Sequence, residues 1–115
     1  MRFEEYAELA MRTQADYSEV KTPTPEEWQI ICGVFGMIGE VGEMAEMVKK
    51  WLFQGHELDY DNLIEELGDS IWYWNQIVNA IPKVTASEIA ELNIEKLRAR
   101  YPHGFSADRS LNREL

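Results

Sequence analysis

Apolar positions recur at spacings of three and four along most of this chain, and the strict alternation of a β-strand hardly appears. Phe3, Tyr6, Ala10 and Tyr17 predict an amphipathic first helix over residues 2–17, halted by the run Lys21-Thr22-Pro23-Thr24-Pro25. Thr24-Pro25-Glu26-Glu27 then reads as a helix start. Threonine can cap, proline suits the first helical position, and Glu27 can close a capping box. The second helix is expected to reach about Phe53, with Lys49 and Lys50 near its negative end and Gly55 able to take the left-handed closing conformation. A third helix is predicted from Asp61 to Ile81, stopped by Pro82. A second capping box, Thr85 to Glu88, opens a fourth that ends near Tyr101-Pro102-His103-Gly104. The remainder from Phe105 is polar and either lies against the body or moves freely. With no repeat or linker, the expectation is one domain over residues 1–115, all-α, a four-helix up-down type bundle with a polar C-terminal tail.

The two central helices each carry two stripes when laid out at about 100° per residue. On the second helix Trp28, Ile31, Phe35, Ile38, Gly42 and Ala45 form one seam. Roughly opposite lie Ile30, Gly33, Met37, Glu40, Met44, Met47 and Trp51. Apolar residues on both sides predict burial on both sides, within the fold or at an interface between copies. Glycines at 33, 36, 39 and 42 each cost roughly 1 kcal/mol in a helix relative to alanine. They read as close-approach positions that leave room around Glu40 and Glu43. On the third helix Ile64, Leu67, Ile71, Trp74, Val78 and Ile81 make the apolar seam, and Asn62, Glu66, Asp69, Tyr73, Gln76 and Ala80 make the other stripe. A short connection implies an antiparallel pair, so Glu40 and Glu43 are expected to face Glu66 and Asp69.

Composition narrows the chemistry. A net charge of −10 argues against general binding of duplex nucleic acid, which needs a basic face. The single cysteine, Cys32, permits no intrachain disulfide and fits a reducing compartment as a small apolar residue. The longest apolar run, Ile30 to Gly39, is too short to span a bilayer, and the acidic start lacks a signal-peptide core, so a cytoplasmic protein without membrane contact is expected.

Four acids converging between two helices would repel unless they bind protons or cations. An all-oxygen set without histidine or thiolate suits a hard ion, Mg²⁺ or Mn²⁺. A di-iron bundle would need Glu-x-x-His elements, and His56 and His103 both fall in loops. Glu26, Glu27 and Glu46 read as capping or surface residues, while Glu65 is either a supporting acid or an exposed one. The fourth helix adds positive charge: Ile89, Asn93, Lys96 and Arg100 share a face, and Lys96 and Arg100 suit phosphate oxygens. Arg98 lies off that face. Trp72 and Tyr73 follow Asp69 by one turn, which sets aromatic rings where a base could stack. A non-catalytic helical interaction domain, its acids a charged surface, is the competing reading.

The Gly39-Glu40-Val41-Gly42-Glu43 segment, then Glu65-Glu66-Leu67-Gly68-Asp69, then Asn93 to Tyr101 resembles the MazG-like branch of the all-α nucleoside triphosphate pyrophosphohydrolases. Their signature is ExxE, a gap, ExxD and a downstream Asn-x-x-Lys with Arg. The resemblance covers roughly residues 30–113 and implies hydrolysis of a (deoxy)nucleoside triphosphate to monophosphate and pyrophosphate, with a role in cleansing the nucleotide pool. It further implies Mg²⁺ held by Glu40, Glu43, Glu66 and Asp69, a water proton taken up by Glu43, and charge on pyrophosphate stabilised by Lys96 and Arg100. Asn93, Tyr73, Trp72 and Arg109 would contact the substrate, with Arg113 also able to close over the phosphates. Members of the family are dimers or tetramers, so a homodimer or homotetramer is expected.

Overall fold

The computed structural model describes residues 1–112, and among them every regular element is helical. The helices are α1 (Phe3–Ala10), α2 (Pro25–Gln54), α3 (Tyr60–Ala80), α4 (Ala86–Arg100) and a short α5 (Ala107–Leu111). Local chemistry accounts for their ends. At the start of α2 the Thr24 hydroxyl accepts from the Glu27 backbone N–H at 3.1 Å, and the Glu27 carboxylate accepts from the Thr24 N–H at 3.0 Å. The same reciprocal pair joins Thr85 and Glu88 before α4. Gly55 closes α2 at φ 71°, donating to the Lys50 carbonyl, a conformation a side chain would resist. Asp59 caps α3 by accepting from the Asn62 N–H at 3.1 Å.

One expectation is corrected. The first helix stops at Ala10, well short of Tyr17, and continues as single 3₁₀ turns at Met11–Thr13 and Tyr17–Glu19. Short polar side chains compete with the helix here: the Asp16 carboxylate takes the Ser18 N–H and hydroxyl, and Thr13 donates to the Ala10 carbonyl. Beyond α4 the tail forms the short α5.

The packed unit of the single chain is the α2/α3 hairpin, while α1 contacts mainly the 3₁₀ turn that continues it and α4 stands off from the pair. Gly36 lies against the Tyr73 ring at one end, and Met47 accepts from the Asn62 amide at 3.7 Å at the other. This antiparallel register sets Glu43 level with Glu66, and Glu40 level with Asp69. The stripe carrying Gly33, Met37, Glu40 and Met44 faces α3, as the sequence predicts. The other seam is open: Phe35 is 68% exposed, Ile38 62%, and Ile64 and Ile71 on α3 66% each.

Among the described residues only Val78 and Ala80 of the apolar set are buried, and no side chain is fully so. The chain exposes 9979 Å², against about 6,500 Å² for a compact monomer of its mass. Its radius of gyration is 20.4 Å where about 13 Å is usual. No described helix is long and apolar enough to cross a membrane.

Candidate metal centre

Glu40, Glu43 and Glu66 each bring a carboxylate oxygen to within 4.8 Å of the others. They meet because Glu40 and Glu43, one turn apart on α2, sit on the face that α3 covers. Glu43 is exposed at the edge, while Glu40 and Glu66 are half-buried. One oxygen of each of these two, Glu40 Oε2 and Glu66 Oε2, is buried without a hydrogen-bond partner. Ionised carboxylates only accept, so three together contain no donor. A proton or a cation must supply the missing positive charge.

The electrostatics reflect this. Hydrogen bonding to Glu40 and Glu43 favours the protonated form of Glu66, and desolvation and the two neighbouring charges add to it, pushing its pKa from 4.5 to about 8. The folded protein thus holds a proton between about pH 4.5 and 8 that the unfolded chain has released. Metal-free protein should therefore lose stability as pH rises through that window. A divalent cation displaces the proton, so its thermal stabilisation should be larger at pH 8 than at pH 6. Calorimetric melting with and without Mg²⁺ at both pH values checks this. An interaction domain whose acids merely face water predicts no ion effect at either pH.

Asp69 lines an open cleft of about 340 Å³ together with Glu40, Trp72 and Tyr73. Trp72 meets Tyr73 edge-on, with centroids 5.2 Å apart and planes at 90°. A MazG nucleotide pyrophosphohydrolase domain matches residues 34–105, which contain both acidic motifs, both aromatics and α4. The chain belongs to the MazG family. Searches of curated proteins and of solved structures return no match. Membership makes a hydrolase acting on nucleotides the family function of this fold, and the acidic cluster agrees with the metal dependence typical of MazG proteins.

Within this MazG chain the structure joins some of the sequence-derived site residues and separates others. It brings together Glu40, Glu43 and Glu66, with Asp69, Trp72 and Tyr73 along the same cleft. It does not bring Asn93, Lys96 and Arg100 to these acids within one chain, because α4 stands away from α2 and α3. Arg113 lies outside the described residues, as does the side chain of Arg109. Glu46 ion-pairs with Lys49 at 3.2 Å on the surface, as expected.

The glycines divide. A methyl at Gly36 would fall 2.2 Å from the Tyr73 ring, and one at Gly33 would fall 2.5 Å from Ile77. Gly39 and Gly42 meet nothing within 4 Å, so close approach explains only the first two within the chain. Gly36 was readable as a spacer, but that it seats Tyr73 needed the helix register. Gly36→Ala should lower the melting temperature by several degrees despite its better helix propensity, and should displace the Tyr73 ring. Gly39→Ala in the same chain lacks that clash, and comparing the two melts separates steric from helical effects.

Proposed function

We propose that this MazG protein hydrolyses (deoxy)nucleoside triphosphates to the monophosphate and pyrophosphate, using Mg²⁺ or, in its place, Mn²⁺. The observation that carries the reading is the cluster of Glu40, Glu43 and Glu66, with two buried carboxylate oxygens lacking partners, beside an aromatic-walled cleft that Glu40 also lines. Buried carboxylate oxygens without partners fit a hard cation with oxygen ligands. Glu40, Glu43 and Glu66 would hold such an ion, which would supply positive charge to the phosphates and make a nearby water more acidic.

The protein's own residues do the rest. Glu40 and Glu66 hold the charge centre, and Asp69, level with Glu40, adds a fourth carboxylate. Glu43 reaches solvent at the edge of the cluster, which suits it to accept the proton of the attacking water. That water attacks the α-phosphorus, the bond to the pyrophosphate oxygen breaks, and negative charge accumulates on the leaving group. Lys96 and Arg100 neutralise it, with Asn93 as a hydrogen-bonding neighbour and Arg109 as a further phosphate contact. Trp72 and Tyr73 hold the base.

Because α4 stands off from the acids of its own chain, its basic face completes the site of a second copy. The open apolar faces of α2 and α3 and the excess surface of roughly 3,500 Å² over a compact monomer support a homodimer or homotetramer. Removal of damaged or surplus nucleotides from the cytoplasmic pool is the role this reaction serves.

Incubation with each common deoxynucleoside triphosphate and Mg²⁺ tests the activity. Stoichiometric monophosphate and pyrophosphate is the expected result. Release of orthophosphate, or no turnover across the panel, overturns it.

A further inference from the structure

The two rings of the cleft are held differently. Trp72 is 62% exposed, whereas Tyr73 is half-buried and lies against α2. A methyl on Gly36 would overlap the Cδ1, Cε1 and Cζ atoms of the Tyr73 ring, so the ring rests on bare backbone and cannot retreat toward that helix. The two helices are close-packed at this height, since Gly33 meets Ile77 in the same way. Trp72 then meets Tyr73 edge-on, with ring centroids 5.2 Å apart. Tyr73 is a fixed wall.

That wall stands beside the acids. Glu40, Asp69, Trp72 and Tyr73 line one cleft of about 340 Å³. Tyr73 follows Asp69 by four residues, a rise of about 6 Å along α3. A nucleotide with its α-phosphate at the carboxylates and its base at the rings sets its sugar between the two, against the inner ring. Apart from the Tyr73 hydroxyl, the side-chain oxygens lining the cleft belong to Glu40 and Asp69, which the proposed cation engages. A sugar hydroxyl pressed onto the ring carbons would give up water and gain no partner.

We infer that the seated Tyr73 ring selects the sugar, admitting the C2′ methylene of a deoxyribonucleotide and disfavouring the C2′ hydroxyl of a ribonucleotide. The inference rests on the hydrolysis proposed above and narrows its substrate class to deoxynucleoside triphosphates. Stacking of the base tolerates either sugar, so the selection comes from where the ring is fixed. Gly36 is the positioning residue, because a side chain there would displace the ring into the cleft. An apolar wall rejects an added hydroxyl by roughly 100-fold at most, which sets the expected scale.

Steady-state kinetics on pairs that share a base, dATP with ATP, dGTP with GTP and dCTP with CTP, test this. Wild type is expected to favour the deoxy member of each pair by roughly 10- to 100-fold in kcat/KM. Tyr73→Leu should bring that ratio to within about threefold of unity for all three bases. Gly36→Ala moves the ring without removing it and should also change the ratio. Tyr73→Phe keeps the wall and should keep the ratio. Circular dichroism and thermal stabilisation by Mg²⁺ establish that each variant is folded and still binds the ion. Equal use of both sugars by wild type overturns the inference and leaves the hydrolase reading in place. So does a ratio unchanged in Tyr73→Leu, or one lost in Tyr73→Phe, which would make the hydroxyl the selector. Wild type inactive on all six nucleotides removes the hydrolase reading and this inference with it.

Discussion

Glu66→Gln is expected to cut nucleotide hydrolysis by on the order of 10³-fold or more while leaving helical content unchanged. Glu66 is the acid on α3 that closes the three-carboxylate cluster with Glu40 and Glu43. An amide there binds a hard cation weakly and contributes no negative charge. The same change should make the metal-free protein more stable at pH 8, since glutamine can donate to Glu40 and Glu43 without holding an unfavourable charge. It should also abolish the fall in metal-free stability between about pH 4.5 and 8 that Glu66 imposes. Asp69→Asn provides the contrast. Asp69 lines the cleft but is not among the three closest carboxylates, so its variant should lose turnover without that stability gain. Pyrophosphate release and melting curves across pH measure both. Wild-type turnover in Glu66→Gln would rule out the acidic cluster as the centre of the chemistry.

Ile71→Asp is expected to break the assembly and with it the activity. Ile71 sits in the exposed apolar face of α3, and the rotation that carries it away from α2 is the same that turns Ile38 outward on α2. In an antiparallel pair these two faces look to the same side, opposite the edge where Glu43 and Asp69 emerge. Val34, Val41 and Leu67 are exposed as well. A patch of this kind, on a chain with almost no fully buried side chains, belongs against another surface. A charge forced into its centre should weaken association by roughly 3–5 kcal/mol, two to four orders of magnitude in dissociation constant. Light scattering should report a smaller particle, and turnover should fall with it if, as proposed, α4 completes the site of a second copy. Aspartate at the already polar Glu65 should do neither. An Ile71→Asp protein with wild-type mass and turnover would show that this face packs against nothing.

Much of the fold was legible because its determinants are local. Thr24 and Glu27, Thr85 and Glu88, and Gly55 mark helix ends through bonds that span three to five residues, and each appears where the sequence places it. The misjudged end of α1 is equally local: the Asp16–Ser18 bonds outcompete a weak helical pattern that has nothing to pack against. The meeting of Glu40 and Glu43 with Glu66 was also readable, since a short connection forces two amphipathic helices to run antiparallel.

The sequence by itself thus determined the helical elements, the acidic stripes that share the hairpin's inner face, and the motif that marks the MazG family. Only the tertiary structure decided that the second apolar seam of α2 stays open within the chain, that Gly36 rather than Gly39 seats an aromatic ring, and that α4 stands apart from the acids. The reason is physical. Periodicity and capping are set by neighbours within a helical turn, whereas the seating of Tyr73 on Gly36 and the position of α4 depend on contacts between segments dozens of residues apart, which no single segment carries.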